Sequence, residues 1–240
     1  MKFLHNSAAL SLAAFLAGTT AIGTSWAHDG DRVSETRDLP TFTKIVVDGS
    51  SDVDITAGKA QSVEILTESD HLELVTTEVR GDTLYISMER HRWRNTDVDL
   101  NISVQSLTSV AVEGSGDFDI RNVDSDAFDI IIDGSGDVDF SGNTAHMDVE
   151  IDGSGDVYMT GDCGAVVVDI DGSGDIDART LTCESANVIV DGSGDVDVYA
   201  SNSVEVNISG SGDITVYGDP DTVRPRIRGS GSFEMVDNGR

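Results

Sequence analysis

Residues 149–159 read Val-Glu-Ile-Asp-Gly-Ser-Gly-Asp-Val-Tyr-Met, and this stretch decides the fold. Apolar and polar residues alternate on both sides of a Gly-Ser-Gly-Asp tetrapeptide that begins at Gly153. Alternation with β-branched residues predicts half-buried strands. Glycine adopts dihedral angles that other residues avoid and has no side chain to clash, so the tetrapeptide predicts a tight corner between two strands.

The same tetrapeptide recurs at regular intervals. Six copies begin at Gly114, Gly134, Gly153, Gly172, Gly192 and Gly210, with a Gly-Ser-Gly-Ser variant at Gly229 and a Gly-Ser-Ser-Asp variant at Gly49. From Gly114 onward, successive copies start 20, 19, 19, 20, 18 and 19 residues apart. A fixed period of this length indicates a repeat architecture, in which each unit buries its apolar face by stacking on its neighbours.

When the copies are aligned on their first glycine, apolar residues fall into common columns. The column two residues before the motif holds Val112, Ile132, Ile151, Ile170, Val190, Ile208 and Ile227. A coil of about 20 residues fits a β-helix better than a propeller blade, which needs about 40. We therefore predict an all-β fold, with a right-handed parallel β-helix over residues 110–236. A β-sandwich is the alternative, although it would not require the same corner at the same interval.

The N-terminal part departs from the repeat. Residues 40–109 contain one repeat unit around Gly49, and alternating segments follow at 62–68, 72–77 and 98–104. A hairpin turn at 80–82 leads into a further strand that ends near residue 88. We interpret this insertion as an antiparallel β-meander that caps the open end of the stack, because an exposed sheet edge invites pairing with other chains.

The other boundaries follow from composition. The last copy of the repeat carries Arg224, Pro225, Arg226 and Arg228, and we interpret it as the second cap. Residues 28–39 are predicted to be a linker, and residues 237–240 a tail.

The first 27 residues predict export. A basic Lys2 precedes an apolar run at 8–17, and Ser25-Trp26-Ala27 places small residues where a signal peptidase cleaves. We predict cleavage after Ala27 and a periplasmic or secreted mature chain. The apolar run is shorter than the roughly 20 residues of a transmembrane helix, and no later stretch predicts a membrane span.

The charge of the chain excludes some partners. It has 44 acidic and 15 basic residues and a formal net charge of −29, which repels nucleic acid and anionic lipid. A solvated surface that resists aggregation is one interpretation of this excess, and a specific cation-binding role is the other.

The acidic residues also form columns across the repeats. The fourth motif position holds Asp52, Asp117, Asp137, Asp156, Asp175, Asp195 and Asp213, and the position before the motif holds Glu113, Asp133, Asp152, Asp171 and Asp191. Stacked neighbours about 4.8 Å apart would repel by about 0.9 kcal/mol per pair in water. Hydrogen bonds from the backbone N–H groups of the corner would offset this repulsion. Bridging Ca²⁺ ions would also do so, which makes Ca²⁺ a possible cofactor with ligands that stay unknown.

The two cysteines occupy equivalent positions. Cys163 and Cys183 each lie nine residues before their own motif, so stacking places them on adjacent coils within the Cα separation that a disulfide allows. An oxidising compartment favours the bond. We predict that Cys163 and Cys183 form a disulfide or lie close enough to form one.

No catalytic site is predicted. The chain lacks a Gly-x-Ser-x-Gly elbow and a His-Glu-x-x-His zinc motif, and uniform columns of carboxylates give no reason to choose a catalytic pair. The one basic patch is His91-Arg92-Trp93-Arg94. It is interpreted as a loop that pairs with the acidic stack or, alternatively, as a contact for a partner or carbohydrate.

Three segments carry a resemblance to a known family: residues 42–53, residues 81–86 and residues 110–117. With these segments the chain resembles the putative auto-transporter adhesin head GIN domain family, whose members are exported bacterial domains of unknown function. The resemblance spans about residues 40–235 and implies a β-helix-like fold. We therefore expect a non-enzymatic envelope or secreted protein that serves as a binding, adhesin-like or structural module, with an unknown envelope, protein or polysaccharide partner. The alternatives are a calcium-binding β-roll-like scaffold and a carbohydrate-active enzyme.

Overall fold

The computed structural model describes residues 32–88 and 97–236, where regular structure is almost entirely β. A short 3₁₀ helix covers Leu72–Leu74. The strands are β1 (Arg32–Arg37), β2 (Lys44–Gly49), β3 (Asp52–Thr56), β4 (Ser62–Glu68), β5 (Val75–Arg80), β6 (Thr83–Met88), β7 (Asp99–Ser103), β8 (Ser109–Gly114), β9 (Phe118–Gly134), β10 (Val138–Gly153), β11 (Val157–Gly172), β12 (Ile176–Gly192), β13 (Val196–Gly210), β14 (Ile214–Tyr217), β15 (Thr222–Gly229) and β16 (Phe233–Val236).

The repeats stack as coils of a parallel solenoid. Strands β9 to β13 each run from one glycine corner to the next, and each pairs in parallel with the strand before and after it. The register places motif on motif, so that Ile151 lies beside Ile132 on one side and Ile170 on the other. The predicted parallel β-helix is therefore confirmed, and the β-sandwich alternative is wrong.

Both glycines of the corner are required by the close approach of successive coils. Gly172 has φ +147°, and a Cβ atom on it would lie 2.1 Å from the carbonyl oxygen of Gly153 in the preceding coil. A Cβ on Gly174 would lie 2.2 Å from the carbonyl oxygen of Gly155. The Ser173 backbone N–H donates to the Gly153 carbonyl oxygen at 2.8 Å, which fixes the spacing of the two corners.

The apolar columns fill the interior of the solenoid. The apolar column two residues before the motif is almost entirely buried from Val112 to Ile208. Phe128 and Phe140 pack against each other with ring centroids 4.9 Å apart. Burial ends at the last coil, where Ile227 is 42% and Met235 40% exposed. Strands β15 and β16 each pair on one side only within the described residues, so the C-terminal end of the stack is an open edge.

The N-terminal coils do not stack in chain order. Strand β2 pairs in parallel with β6 and β8, and β3 pairs in parallel with β7 and β9. Strands β6 and β7 therefore belong to an outermost coil of the solenoid, although we interpreted them as part of an inserted meander. The predicted boundary between 40–109 and 110–236 lies within β8, and strands on both sides of it belong to one sheet.

Antiparallel strands extend the sheet at this end, where β1 and β5 each pair on one side only within the described residues. Strand β5 pairs antiparallel with β6 through a hairpin turn at Gly81-Asp82, and β4 pairs antiparallel with β7. Two details of the prediction are corrected. The strand expected at 72–77 begins at Val75, after the 3₁₀ helix. The linker expected at 28–39 contains β1, which pairs antiparallel with β4 although Val33 is its single large apolar residue.

Candidate functional site

The corner aspartates form a hydrogen-bonded ladder along the solenoid. In most steps the carboxylate Oδ1 of one aspartate accepts a hydrogen bond from the backbone N–H of the residue at the same position in the next coil. Asp175 N–H donates to Asp156 at 2.9 Å, Asp195 N–H to Asp175 at 2.8 Å, and Asp213 N–H to Asp195 at 2.7 Å. These are the backbone hydrogen bonds that the corner interpretation predicts, with the donor in the neighbouring coil.

Another acidic column lies two residues after the corner aspartates, and arginine side chains neutralise part of it. Arg179 lies between Asp177 and Asp197 of adjacent coils, with its Nε 3.6 Å from the Asp197 carboxylate. The hydrogen bond from Arg179 holds the pKa of Asp177 below its usual range, although partial burial opposes the shift. Arg121 contacts Asp54 and Asp119 in the same way. Both arginines therefore form ion pairs with aspartates of adjacent coils.

A group of side chains that could bind a metal ion lies outside the aspartate ladder. In the part of the chain that the structure describes, the one group of three His, Cys, Asp or Glu side chains with ligand atoms within 4.8 Å is Glu68, Asp70 and His71, in the turn after β4. His71 Nδ1 lies 3.2 Å from the Glu68 carboxylate, which is the distance of an ion pair or hydrogen bond. The described corner aspartates form no such trio.

The cysteines lie in register on β11 and β12. Cys163 and Cys183 have their Cα atoms 4.5 Å apart, within the separation that a disulfide allows. They lie on adjacent coils, 20 residues apart in sequence. The basic patch at residues 91–94, and the predicted leader at 1–27, lie outside the described residues.

A groove crosses four adjacent strands of the solenoid, β11, β12, β13 and β15. It has a volume of about 280 Å³. Its lining residues are Ala165, Val166, Val167, Ser185, Ala186, Asn187, Ser203, Val204, Glu205, Thr222 and Arg224. This volume is near the lower limit of ligand pockets, which enclose roughly 300–1,000 Å³.

Differences between coils coincide with this groove. The inward column that begins with Phe128 and Met147 continues as Val166 and Ala186, so the side chains shorten from coil to coil. The neighbouring outward column changes at the same place, from Asp148 to Val167 and Asn187. The outward column at the groove is consequently neutral at these two coils, on a surface that is otherwise acidic.

The C-terminal end of the groove is basic. Glu205 pairs with Arg224 in register across β13 and β15, but its carboxylate accepts a hydrogen bond from Arg226 at 2.6 Å. Arg226 thus neutralises the one acidic side chain of the lining. Arg224 is exposed and makes no hydrogen bond or ion pair with a described residue, so its guanidinium is available to a ligand.

Sequence reasoning did not predict the groove. The aligned repeats show the residues that the coils share, whereas the groove lies where the coils differ. Three signals were present: the shortening of the column to Ala186, the neutral residues at 167 and 187, and the motif spacings of 20 and 18 residues around this region.

The chain is similar to known proteins in sequence and in fold. A sequence profile described as "Putative auto-transporter adhesin, head GIN domain" matches residues 41–220. No curated protein matches the chain in sequence.

Solved structures share the fold. A "putative adhesin" from Bacteroides fragilis has a TM-score of 0.81 at 22% identity, with 87% of this chain and 98% of that chain covered. A "putative lipid binding protein" from Parabacteroides distasonis has a TM-score of 0.69 at 23% identity, with 87% and 98% covered. A "putative adhesin" from Parabacteroides merdae has a TM-score of 0.69 at 16% identity, with 87% and 97% covered. The TM-scores show a shared fold, and at identities of 16% to 23% the likeness is limited to the fold.

Proposed function

Because the chain belongs to the auto-transporter adhesin head GIN domain family, we propose that it is an exported, non-enzymatic binding module of the bacterial cell envelope. We propose the groove across β11, β12, β13 and β15 as its binding site. The observation that carries this proposal is the groove itself, a neutral, hydroxyl-lined concavity on a chain with a net charge of −29.

Export to the periplasm or the medium is part of the proposal. The residues at 1–27 have the order of a secretory leader, with a basic start, an apolar run and small residues before the predicted cleavage after Ala27. A bond between Cys163 and Cys183 suits the oxidising conditions there. Within the described residues no helix has the length and apolarity needed to cross a membrane.

A binding role is favoured over catalysis by the distribution of ionisable groups. The carboxylates near the solenoid surface repeat from coil to coil, and several of them are engaged with backbone N–H groups or arginines. Catalytic carboxylates need unequal environments that separate their pKa values. The groove lining contains one carboxylate, Glu205, and Arg226 holds it as an ion pair.

The test is binding of the labelled protein to isolated envelope fractions of a bacterium that produces it. We expect saturable binding to one fraction, with no release of reducing sugar or unsaturated products from polysaccharide. Ala165→Met places a longer side chain in the groove, because Ala165 is a partly exposed residue of its lining, and should abolish binding. Ala127→Met makes the same change on an exposed alanine outside the groove lining and should leave binding intact.

Three results would contradict the proposal. Equal binding of the two variants would remove the groove as the site. Absence of binding to every fraction would remove the envelope-binding role. Recovery of the protein in the cytoplasmic fraction with residues 1–27 attached would remove export.

A further inference from the structure

The groove also indicates a class of ligand, and this inference rests on the proposed function. We propose that the groove binds a saccharide that carries an anionic group, and that Arg224 pairs with that group. The remaining lining holds the sugar ring and its hydroxyls.

The lining matches a sugar in its chemistry. Ser185, Ser203 and Thr222 place hydroxyls in one column, in register on β12, β13 and β15, and Asn187 adds an amide. Hydroxyl and amide groups both donate and accept hydrogen bonds, as the hydroxyls of a sugar do. The partly exposed apolar side chains of Ala165 and Val167 lie at the β11 end of the lining, where the C–H face of a ring would pack.

A peptide strand fits this site poorly. Strand addition needs an unpaired sheet edge, whose main-chain groups bind the incoming chain. The groove instead crosses strands whose backbones pair with one another, from β11 to β12, β13 and β15. An acyl chain fits poorly as well, because the groove is small and open, and about half of its residues are polar or charged.

Charge selects an anionic sugar over a neutral one. Arg226 neutralises Glu205, so the groove retains the single uncompensated charge of Arg224 at its C-terminal end. Guanidinium groups bind carboxylate and phosphate through paired, charge-assisted hydrogen bonds. A carboxylated sugar and a phosphorylated sugar share this chemistry, and the experiment separates them.

The experiment measures dissociation constants by titration calorimetry and ligand-observed NMR with matched pairs of probes. The pairs are sialyllactose with lactose, glucuronic acid with glucose, and glucose 6-phosphate with glucose. We expect the anionic member of at least one pair to bind tenfold or more tightly than its neutral partner. A carboxylated or a phosphorylated winner identifies the source of the anionic group.

Two arginine variants assign the effect. Arg224→Gln should bring the anionic and neutral members of the pair to within about twofold of each other. Arg228→Gln should keep the difference in affinity between the anionic and neutral members. This substitution removes the same charge from the same strand, but Arg228 is not part of the groove. Equal loss in both variants would mean that net charge, not the groove, causes the preference, and would overturn the inference.

The failure of this inference differs from the failure of the proposed function. Envelope binding that Ala165→Met abolishes, together with no preference for any anionic probe, would overturn the saccharide assignment and leave the binding role. Binding of a probe that Ala165→Met leaves unchanged would place the saccharide elsewhere and would also overturn the inference. Melting temperatures of all variants show whether each one is folded.

Discussion

At the scale of single residues, the corner glycines set the strictest requirement on the sequence. We expect Gly172→Ala to destabilise the fold by more than about 3 kcal/mol, because it combines an unfavourable positive φ with a clash against backbone rather than a flexible side chain. Urea unfolding measures the loss. Gly58→Asn is the control, since Gly58 also has a positive φ, +76°, but has open space around it, and asparagine tolerates that conformation. Similar losses in both variants would contradict the steric argument.

A second residue-scale prediction concerns Asp129. Burial raises the pKa of Asp129 above its ordinary value, and the carboxylate of Asp148 on the next coil raises this pKa further. The folded chain therefore holds the Asp129 proton more tightly than the unfolded chain, and ionised Asp129 costs stability at neutral pH. We expect Asp129→Asn to raise the melting temperature at pH 7.

This gain should shrink as the pH falls through the folded pKa, and disappear below the ordinary aspartate pKa of about 3.9. Asp126→Asn, at an exposed aspartate in the same coil, controls for the change in net charge. A gain from Asp129→Asn that is equally large at pH 7 and pH 3 would show that the raised pKa is not its cause.

At the scale of elements, the sequence predicted the strands whose apolar residues alternate. The motif period fixed the register of the long coils, because Gly-Ser-Gly corners fit only on one another. Strand β1 was missed because residues 32–37 have almost no apolar pattern and are ordered by pairing with β4. The stacking of β6 and β7 outside β2 and β3 was missed because local alternation does not determine which coil lies next to which. The groove likewise depends on how unlike coils fit together.

The disulfide is a prediction about two neighbouring strands. If β11 and β12 are joined by Cys163 and Cys183 in the exported protein, closing a loop of about 20 residues stabilises the fold by about 3 kcal/mol. We expect reductant to lower the free energy of unfolding of the native protein by this amount, measured by urea unfolding. The Cys163→Ala, Cys183→Ala variant should unfold near the midpoint of the reduced protein and ignore reductant. Two free thiols in the non-reduced exported protein, found by mass mapping, would refute the bond.

The open C-terminal strand carries a different prediction. Pro225 lies in the middle of β15, where it removes a backbone N–H from the unpaired edge and hinders the addition of another strand. We expect Pro225→Val to self-associate at concentrations where the native protein is monomeric, measured by size-exclusion chromatography with light scattering. Thr222→Val adds a similar apolar side chain to the same strand and keeps the proline, so it should stay monomeric. A monomeric Pro225→Val would mean that the arginines of this strand suffice to protect the edge.

At the scale of the whole molecule, the excess of negative charge should make stability depend on salt more than on the identity of the cation. Stacked carboxylates repel one another, and salt screens this repulsion. Most corner aspartates already use one oxygen to accept a backbone N–H, and no three of the described ladder carboxylates converge within 4.8 Å. We therefore expect the melting temperature to rise with NaCl, and Ca²⁺ and Mg²⁺ at matched ionic strength to give equal melting temperatures.

Asp156→Asn sharpens this last prediction, because an asparagine Oδ1 can still accept the hydrogen bond from the Asp175 backbone N–H while one charge is lost. The variant should melt at or above the native temperature in low salt, and the difference should vanish in high salt. If the ladder instead bound Ca²⁺, millimolar Ca²⁺ would stabilise the native protein by many degrees more than Mg²⁺ does, and Asp156→Asn would weaken that response. A Ca²⁺-selective rise would therefore make the corner aspartates cation ligands rather than backbone acceptors in a charged, screened stack.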